Sequence, residues 1–118
     1  MHNQLRIHLS MSRPSLKTAL ARCRPGEVLA ATADGRELVV ARGHSGGLAV
    51  FEDRCPHQYA PLSEGYIDQD NLVCPRHNWE FRLADGVIVV PTARAGCPGL
   101  VPLPAGDDGL LDPTARSR

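Results

Sequence analysis

Apolar and polar positions alternate with a period of two along much of the chain, and glycine, proline or aspartate interrupts them every few residues. That rhythm predicts short strands joined by tight turns. Residues 5–9 alternate weakly, residues 10–14 break the pattern, and residues 15–22 read as a helical turn. After the turn Cys23-Arg24-Pro25-Gly26, residues 27–32 form a strand pattern, Asp34-Gly35 is a strong hairpin signal, and residues 37–41 return as its partner. A glycine-rich turn at 43–47 precedes a third strand at 48–51, which runs directly into Cys55-Pro56-His57. Connections this short cannot hold the crossover that parallel strands need, so the expected arrangement is an antiparallel meander.

The second half repeats the style. Residues 60–65 form a compact turn, and residues 66–70 run on towards Asn71-Leu72-Val73, a short strand that delivers Cys74-Pro75-Arg76-His77. Residues 79–83 alternate, Asp85-Gly86 signals a second hairpin, and residues 87–90 return, so the second Cys-His run heads a hairpin. Residues 91–99 are an irregular Pro/Gly loop, 100–103 an edge strand because of Pro102, 109–111 a closing strand, and 113–118 a frayed tail.

Composition narrows the class. With 118 residues, 11 glycines, 10 prolines and 4% aromatics, the chain fits one turn-rich β domain with an aliphatic core. Thirteen basic and thirteen acidic residues balance, so no global field draws in nucleic acid or an anionic membrane. No run approaches the roughly 18 apolar residues of a membrane span, and the first residues lack an apolar signal core and a twin-arginine pair, which makes the cytoplasm the expected location. Four cysteines could make two disulfides. Two of them, however, lie two or three residues from a histidine, which suits metal ligation in a reducing compartment better.

The chemistry therefore concentrates in Cys55, His57, Cys74 and His77, spaced as Cys-x-His, sixteen residues, then Cys-x-x-His. Rigid loops at the ends of neighbouring hairpins can aim four side chains at one point without a large entropy cost. Three readings compete. A zinc site would use the same atoms tetrahedrally, although zinc fingers usually pair cysteines in one knuckle and histidines on a helix, whereas each loop here carries one of each. A cysteine nucleophile activated by its histidine is a second reading, against which two equivalent pairs suggest coordination. An iron-sulfur centre with mixed ligands is the third.

Cys55-Pro56-His57, Ala60-Pro61-Leu62-Ser63-Glu64-Gly65, Cys74-Pro75-Arg76-His77-Asn78-Trp79-Glu80-Phe81 and Asp85-Gly86 together resemble a Rieske [2Fe-2S] domain. More closely, they resemble the small soluble Rieske ferredoxins that serve bacterial ring-hydroxylating oxygenases. The specific likeness covers roughly residues 48–90. It implies an all-β fold, a Rieske-type antiparallel β-sandwich with a cluster-binding subdomain of two hairpin loops at about residues 53–83. It also implies one [2Fe-2S] cluster, with Cys55 and Cys74 holding the inner iron and His57 and His77 the outer one. Imidazoles in place of two thiolates raise the potential above that of all-Cys ferredoxins, and the neutral donors make the His-ligated iron the natural electron port.

Two departures refine the resemblance. Respiratory Rieske proteins carry an extra, mutually bonded cysteine in each loop, whereas the corresponding stretches here are Gln58-Tyr59-Ala60 and Asn78-Trp79. The hydroxyl donors of that branch are also missing near Asn78 and Phe81, which predicts a potential in the lower part of the range of about −150 to +300 mV. The resulting expectation is a cytoplasmic, monomeric one-electron carrier, not a catalyst, that links a flavin-dependent reductase to a terminal oxygenase and has neither nucleic-acid nor membrane partners. The chain is expected to be too short for a mononuclear-iron domain, and His2, His8 and His44 offer no facial triad. The alternatives are the small Rieske-type subunit of a larger reductase, such as nitrite reductase, and a structural zinc module. Cys23 and Cys97 read as structural thiols. Residues 91–98 read as a loop covering the cluster, and Arg54, Arg76 and Arg94 as solvated surface charge or a mildly basic rim.

Overall fold

The computed structural model describes residues 13–56, 60–76, 78–90 and 99–106. The strands expected at 5–9 and 109–111, the loop at 91–98 with Arg94 and Cys97, and the tail lie outside these residues, as do His2 and His8.

A short helix, α1 (Leu16–Arg22), begins at Ser15, which is extended at φ −63° and ψ 156° and accepts the Thr18 N–H on its Oγ at 3.3 Å. The cap satisfies a donor that the first turn would otherwise leave open. Leu16, Ala19 and Cys23, spaced by three and four, put one stripe into the core.

Three strands follow: β1 (Val28–Ala33), β2 (Arg36–Arg42) and β3 (Leu48–Glu52), antiparallel in the order β1-β2-β3. Asp34 (φ 54°) and Gly35 (φ 73°) are both left-handed, as a two-residue turn must be if it is to match the twist of its strands. The run Leu38-Val39-Val40-Ala41 has no exposed position, because β2 is covered on both faces. Leu38 and Val40 pack with Ala31, Val50 and α1, while Val39 and Ala41 face the other way with Ala49 and Phe51. This explains why the centre of β2 is apolar throughout rather than alternating.

The second sheet is a four-stranded meander, β4 (Tyr66–Asp68), β5 (Asn71–Val73), β6 (Glu80–Arg82) and β7 (Ile88–Val90). Its Ile67, Leu72, Phe81 and Ile88 meet Val39 and Phe51 of the first sheet. The layers are therefore helix, three-stranded sheet and four-stranded sheet, an all-β sandwich with one helical cover. Burying Phe51 and Phe81 completely contributes about 2–3 kcal/mol each.

Three details depart from the sequence expectation. Residues 66–73, read as one approach to Cys74, fold into a β4–β5 hairpin through Gln69 (φ 59°) and Asp70. The turn is held from outside: Asp70 accepts the Ser45 N–H and Oγ–H at 3.0 and 2.8 Å, and the His44 N–H bonds the Gln69 carbonyl. The two Ser45 donors hold the exposed Asp70 carboxyl below the usual carboxylate range. Next, Asp85-Gly86 lies in a five-residue connection, 83–87, rather than a two-residue one, with the Gly86 N–H on the Arg82 carbonyl and the Arg82 N–H on that of Val87. Lastly, residues 100–103 do not form the expected edge strand. They are pinned at two points, Leu100 N–H to Gly86 and Leu103 N–H to Val50, and Pro102 and Pro104 withhold alternate donors.

Gly35 and Gly86 share a left-handed backbone but differ in surroundings. Nothing lies near Gly35, whereas a methyl group at Gly86 would run into the Leu100 backbone. Gly35→Ala should therefore cost about 1 kcal/mol from backbone strain alone, and Gly86→Ala about 3 kcal/mol once the collision is added. Urea midpoints at unchanged slope measure both, and equal losses would contradict the close packing at Leu100.

Candidate metal centre

The two cysteine loops are built alike. β3 ends at Glu52, the Asp53 N–H still reaches the Glu37 carbonyl at 3.0 Å, and Arg54 N–H bonds Glu52 at 2.8 Å to turn the chain away. The Cys55 N–H then bonds the Ala60 carbonyl at 2.8 Å. In the second loop β5 ends at Val73, and the Cys74 N–H bonds the Trp79 carbonyl at 2.7 Å. Each loop is thus closed by a bond from its cysteine N–H to the carbonyl five residues on. Each has proline next, where the missing N–H leaves no donor unpaired.

The loops point their thiols inward. Cys55 and Cys74 are each 1% exposed and lie in the same apolar cluster as Ala60, Leu62 and Trp79. Cys74 is a free thiol. His57 and His77, with Gln58 and Tyr59, lie outside the described residues. In the sequence His57 falls between Cys55 and Ala60, and His77 between Cys74 and Trp79. Among the described residues no three ligating side chains converge, and Cys55 and Cys74 share one apolar cluster. Two soft donors in a dry site suit a thiophilic metal, whose positive charge offsets the cost of burying thiolates.

Cys23 provides the contrast. It lies in the core on the far side of the first sheet, with Sγ 3.4 Å from the Glu27 carbonyl, and burial pushes its thiol up. It is a structural thiol, remote from the loops.

One group in this region escaped the sequence reading. Asp53, two residues before Cys55, is a buried carboxylate with a fully covered side chain. It accepts Ser63 N–H at 2.7 Å, Ser63 Oγ–H at 2.6 Å and Arg13 Nη2 at 2.7 Å. Arg13 also donates to the carbonyls of Ala31 and Leu38 at 3.2 and 3.1 Å. The partners are 40 and 10 residues away in sequence, so no local pattern announces them.

Charge near the first loop is balanced. A cleft of about 440 Å³ beside it is lined by Arg13, Arg36 and Arg54 against Glu37, Glu52 and Asp53. Arg54 lies 3.9 Å from Glu52, and Arg76 is exposed on the second loop. The described charge beside the first loop is mixed; Arg94 is outside the described residues.

Comparison with known proteins places this arrangement. The family described as Rieske [2Fe-2S] domain matches residues 17–104. The chain belongs to that family.

A Rieske domain carries one [2Fe-2S] cluster and works by electron transfer. The chain is 40% identical over 60 residues to a 4beta-methylsterol monooxygenase of Methylococcus capsulatus, a match covering 51% of the chain and only 16% of that protein. Among solved structures, a Sphingomonas yanoikuyae B1 ferredoxin aligns with TM-score 0.62 and 25% identity over 84% of this chain and 92% of its own. A chain from the complex of reduced oxygenase and oxidized ferredoxin in carbazole 1,9a-dioxygenase aligns with TM-score 0.58 and 28% identity, over 73% of this chain and 77% of its own. Among the described residues no helix is long and apolar enough to cross a membrane.

The left-handed Asn78 (φ 55°), which donates its N–H to the Cys74 carbonyl at 3.1 Å, sets the exit of the second loop. Asn78→Gly should leave the urea midpoint within about 0.5 kcal/mol of the parent, because glycine reaches this conformation freely. Asn78→Val should lose about 2 kcal/mol. Equal behaviour of the two variants would mean that the conformation is not enforced.

Proposed function

We propose that this Rieske domain is a cytoplasmic, monomeric one-electron carrier that links a flavin-dependent reductase to a terminal oxygenase. Cys55 and Cys74 would hold one iron of the cluster through thiolates, and His57 and His77 the other through imidazole nitrogens. The observation that carries this reading is the pair of like-built loops, each with one buried cysteine and each with one histidine in its sequence. The ferredoxin alignment over 92% of its partner's length supports a carrier, whereas the monooxygenase shares only 16% of its length.

When bound, the cluster supplies reversible one-electron transfer. The chain's own residues do the rest. A cysteine ligates as its thiolate, so metal binding releases its proton. Trp79, Leu62 and Ala60 keep water from the thiolate side. The Cys55 and Cys74 N–H groups are committed to loop closure, so neither is free to bond sulfur from its own position. With Phe81 fully buried and no hydroxyl at position 78, the side chains that raise the potential in the respiratory branch have no equivalents there.

Purified protein should be brown, with iron and acid-labile sulfide and, when reduced, an EPR signal of low average g. Colourless protein holding zinc alone would sink the carrier reading. His77→Cys or His77→Ala should alter or abolish the spectrum, and an unaltered one would mean the ligand assignment is wrong. A spectroscopic redox titration should place the midpoint in the lower part of the interval of about −150 to +300 mV; a value near its top would contradict the argument from missing donors. Screening purified flavin reductases for reduction of the protein identifies the upstream partner, and efficient reduction only by a nitrite-reductase-type system would replace the oxygenase assignment.

A further inference from the structure

We propose that Asp53, Ser63 and Gly65 form a spacer that fixes the position of the Cys55 thiol relative to the Cys74 thiol. The inference rests on the reading of those two cysteines as ligands and adds the residues that position them.

The spacer is the 3-10 turn Leu62–Glu64 with Gly65 at its end. On one side it is clamped to the strand that delivers the first thiol, since Ser63 gives both its N–H and its hydroxyl to Asp53, two residues before Cys55. The Cys55–Ala60 bond completes a ring, so the entry and exit of the first loop are tied twice, once next to the cysteine and once at its base. On the other side, a Cβ on Gly65 would collide with the carbonyl of Val73, the residue immediately before Cys74. The next residue, Tyr66, pairs with Val73 in the β4–β5 ladder. A continuous path therefore runs from Cys55 through Asp53, Ser63 and Gly65 to Val73 and Cys74, crossing only hydrogen bonds and close backbone contact.

Leu62 is fully buried, so the turn cannot slide along the core without losing packing. Arg13 holds the outer side of Asp53 and is itself fixed to the carbonyls of Ala31 and Leu38, which ties the spacer to the first sheet. Asp53, Ser63 and Gly65 are positioning residues: none is a donor to the cluster, and each acts through the placement of a thiol. Outer groups of this kind typically change metal retention by about 10–100-fold.

The test uses the cluster-loaded protein and compares Asp53→Asn, Ser63→Ala and Gly65→Ala with Leu16→Ala, a cavity variant in the core on the opposite face of the first sheet. The rate of cluster loss to excess chelator, followed by visible absorbance, is plotted against the urea midpoint of each variant, and the g-values of the reduced state are recorded. Asp53→Asn and Gly65→Ala should release the cluster about tenfold faster than Leu16→Ala at equal stability and shift the g-values. Ser63→Ala, which keeps its N–H bond, should fall between, and Ser63→Thr should restore parental behaviour. If Gly65→Ala does not fold, the Asp53 and Ser63 variants decide the matter alone. All variants lying on one line with Leu16→Ala and sharing unchanged g-values would overturn the spacer while leaving the ligand assignment intact. A Cys55→Ser protein with the parental spectrum would overturn the ligand assignment and the spacer with it.

Discussion

A carboxylate taken out of water costs several kcal/mol unless nearly every lone pair finds a donor, and the burial of Asp53 imposes that demand on the whole first half of the chain. Meeting it fixes three separate segments at once. Arg13 has to cross from the entry of α1 to the end of β3, Ser63 has to lie in a turn whose N–H and hydroxyl face inward, and Asp53 must stay in register with Glu37. None of these positions is free to drift independently, because moving any one strands a charge in the interior. The carboxylate thus makes the base of the first cysteine loop one of the least negotiable places in the fold, a short distance along the chain from its chemistry.

The two loops show how a symmetric device can be held by unsymmetric means. Both use a cysteine N–H bonded five residues on and a proline after the cysteine. The first rests on the ionic clamp and leaves the first sheet; the second emerges from a hairpin whose far end, at Gln69 and Asp70, is bound to the turn at His44 and Ser45. The sheets are therefore stitched together at the end away from the thiols by that turn-to-turn contact, and near the thiols by the spacer and the shared core. Stiffness at both ends suits electron transfer, since a site that changes shape little on gaining an electron has little to reorganise.

The parts of the fold legible in the sequence were those whose cause is local. Asp34-Gly35 announces its hairpin because few other pairs accept two left-handed residues, and the apolar run at 38–41 marks a strand covered on both sides. The family likeness was legible because the ligand types and their spacing sit within two short loops. What stayed hidden was set by distant partners. Gln69 is a poor turn residue by propensity and adopts φ 59° in a turn held from outside by Ser45 and His44. Asp53 looks like any surface acid until Arg13 and Ser63 are in place. The segment 100–103 has the composition of an edge strand, yet its prolines leave it only isolated bonds to its neighbours.

The division of labour between chain and cluster follows from these contacts. The described frame closes both loops with backbone bonds and buries both cysteines in apolar surroundings. Burial pushes up the Cys23 thiol on the other side of the first sheet. The frame therefore sets where the two cysteines lie, and under the ligation proposed above the cluster would supply the charge that stabilises their thiolates.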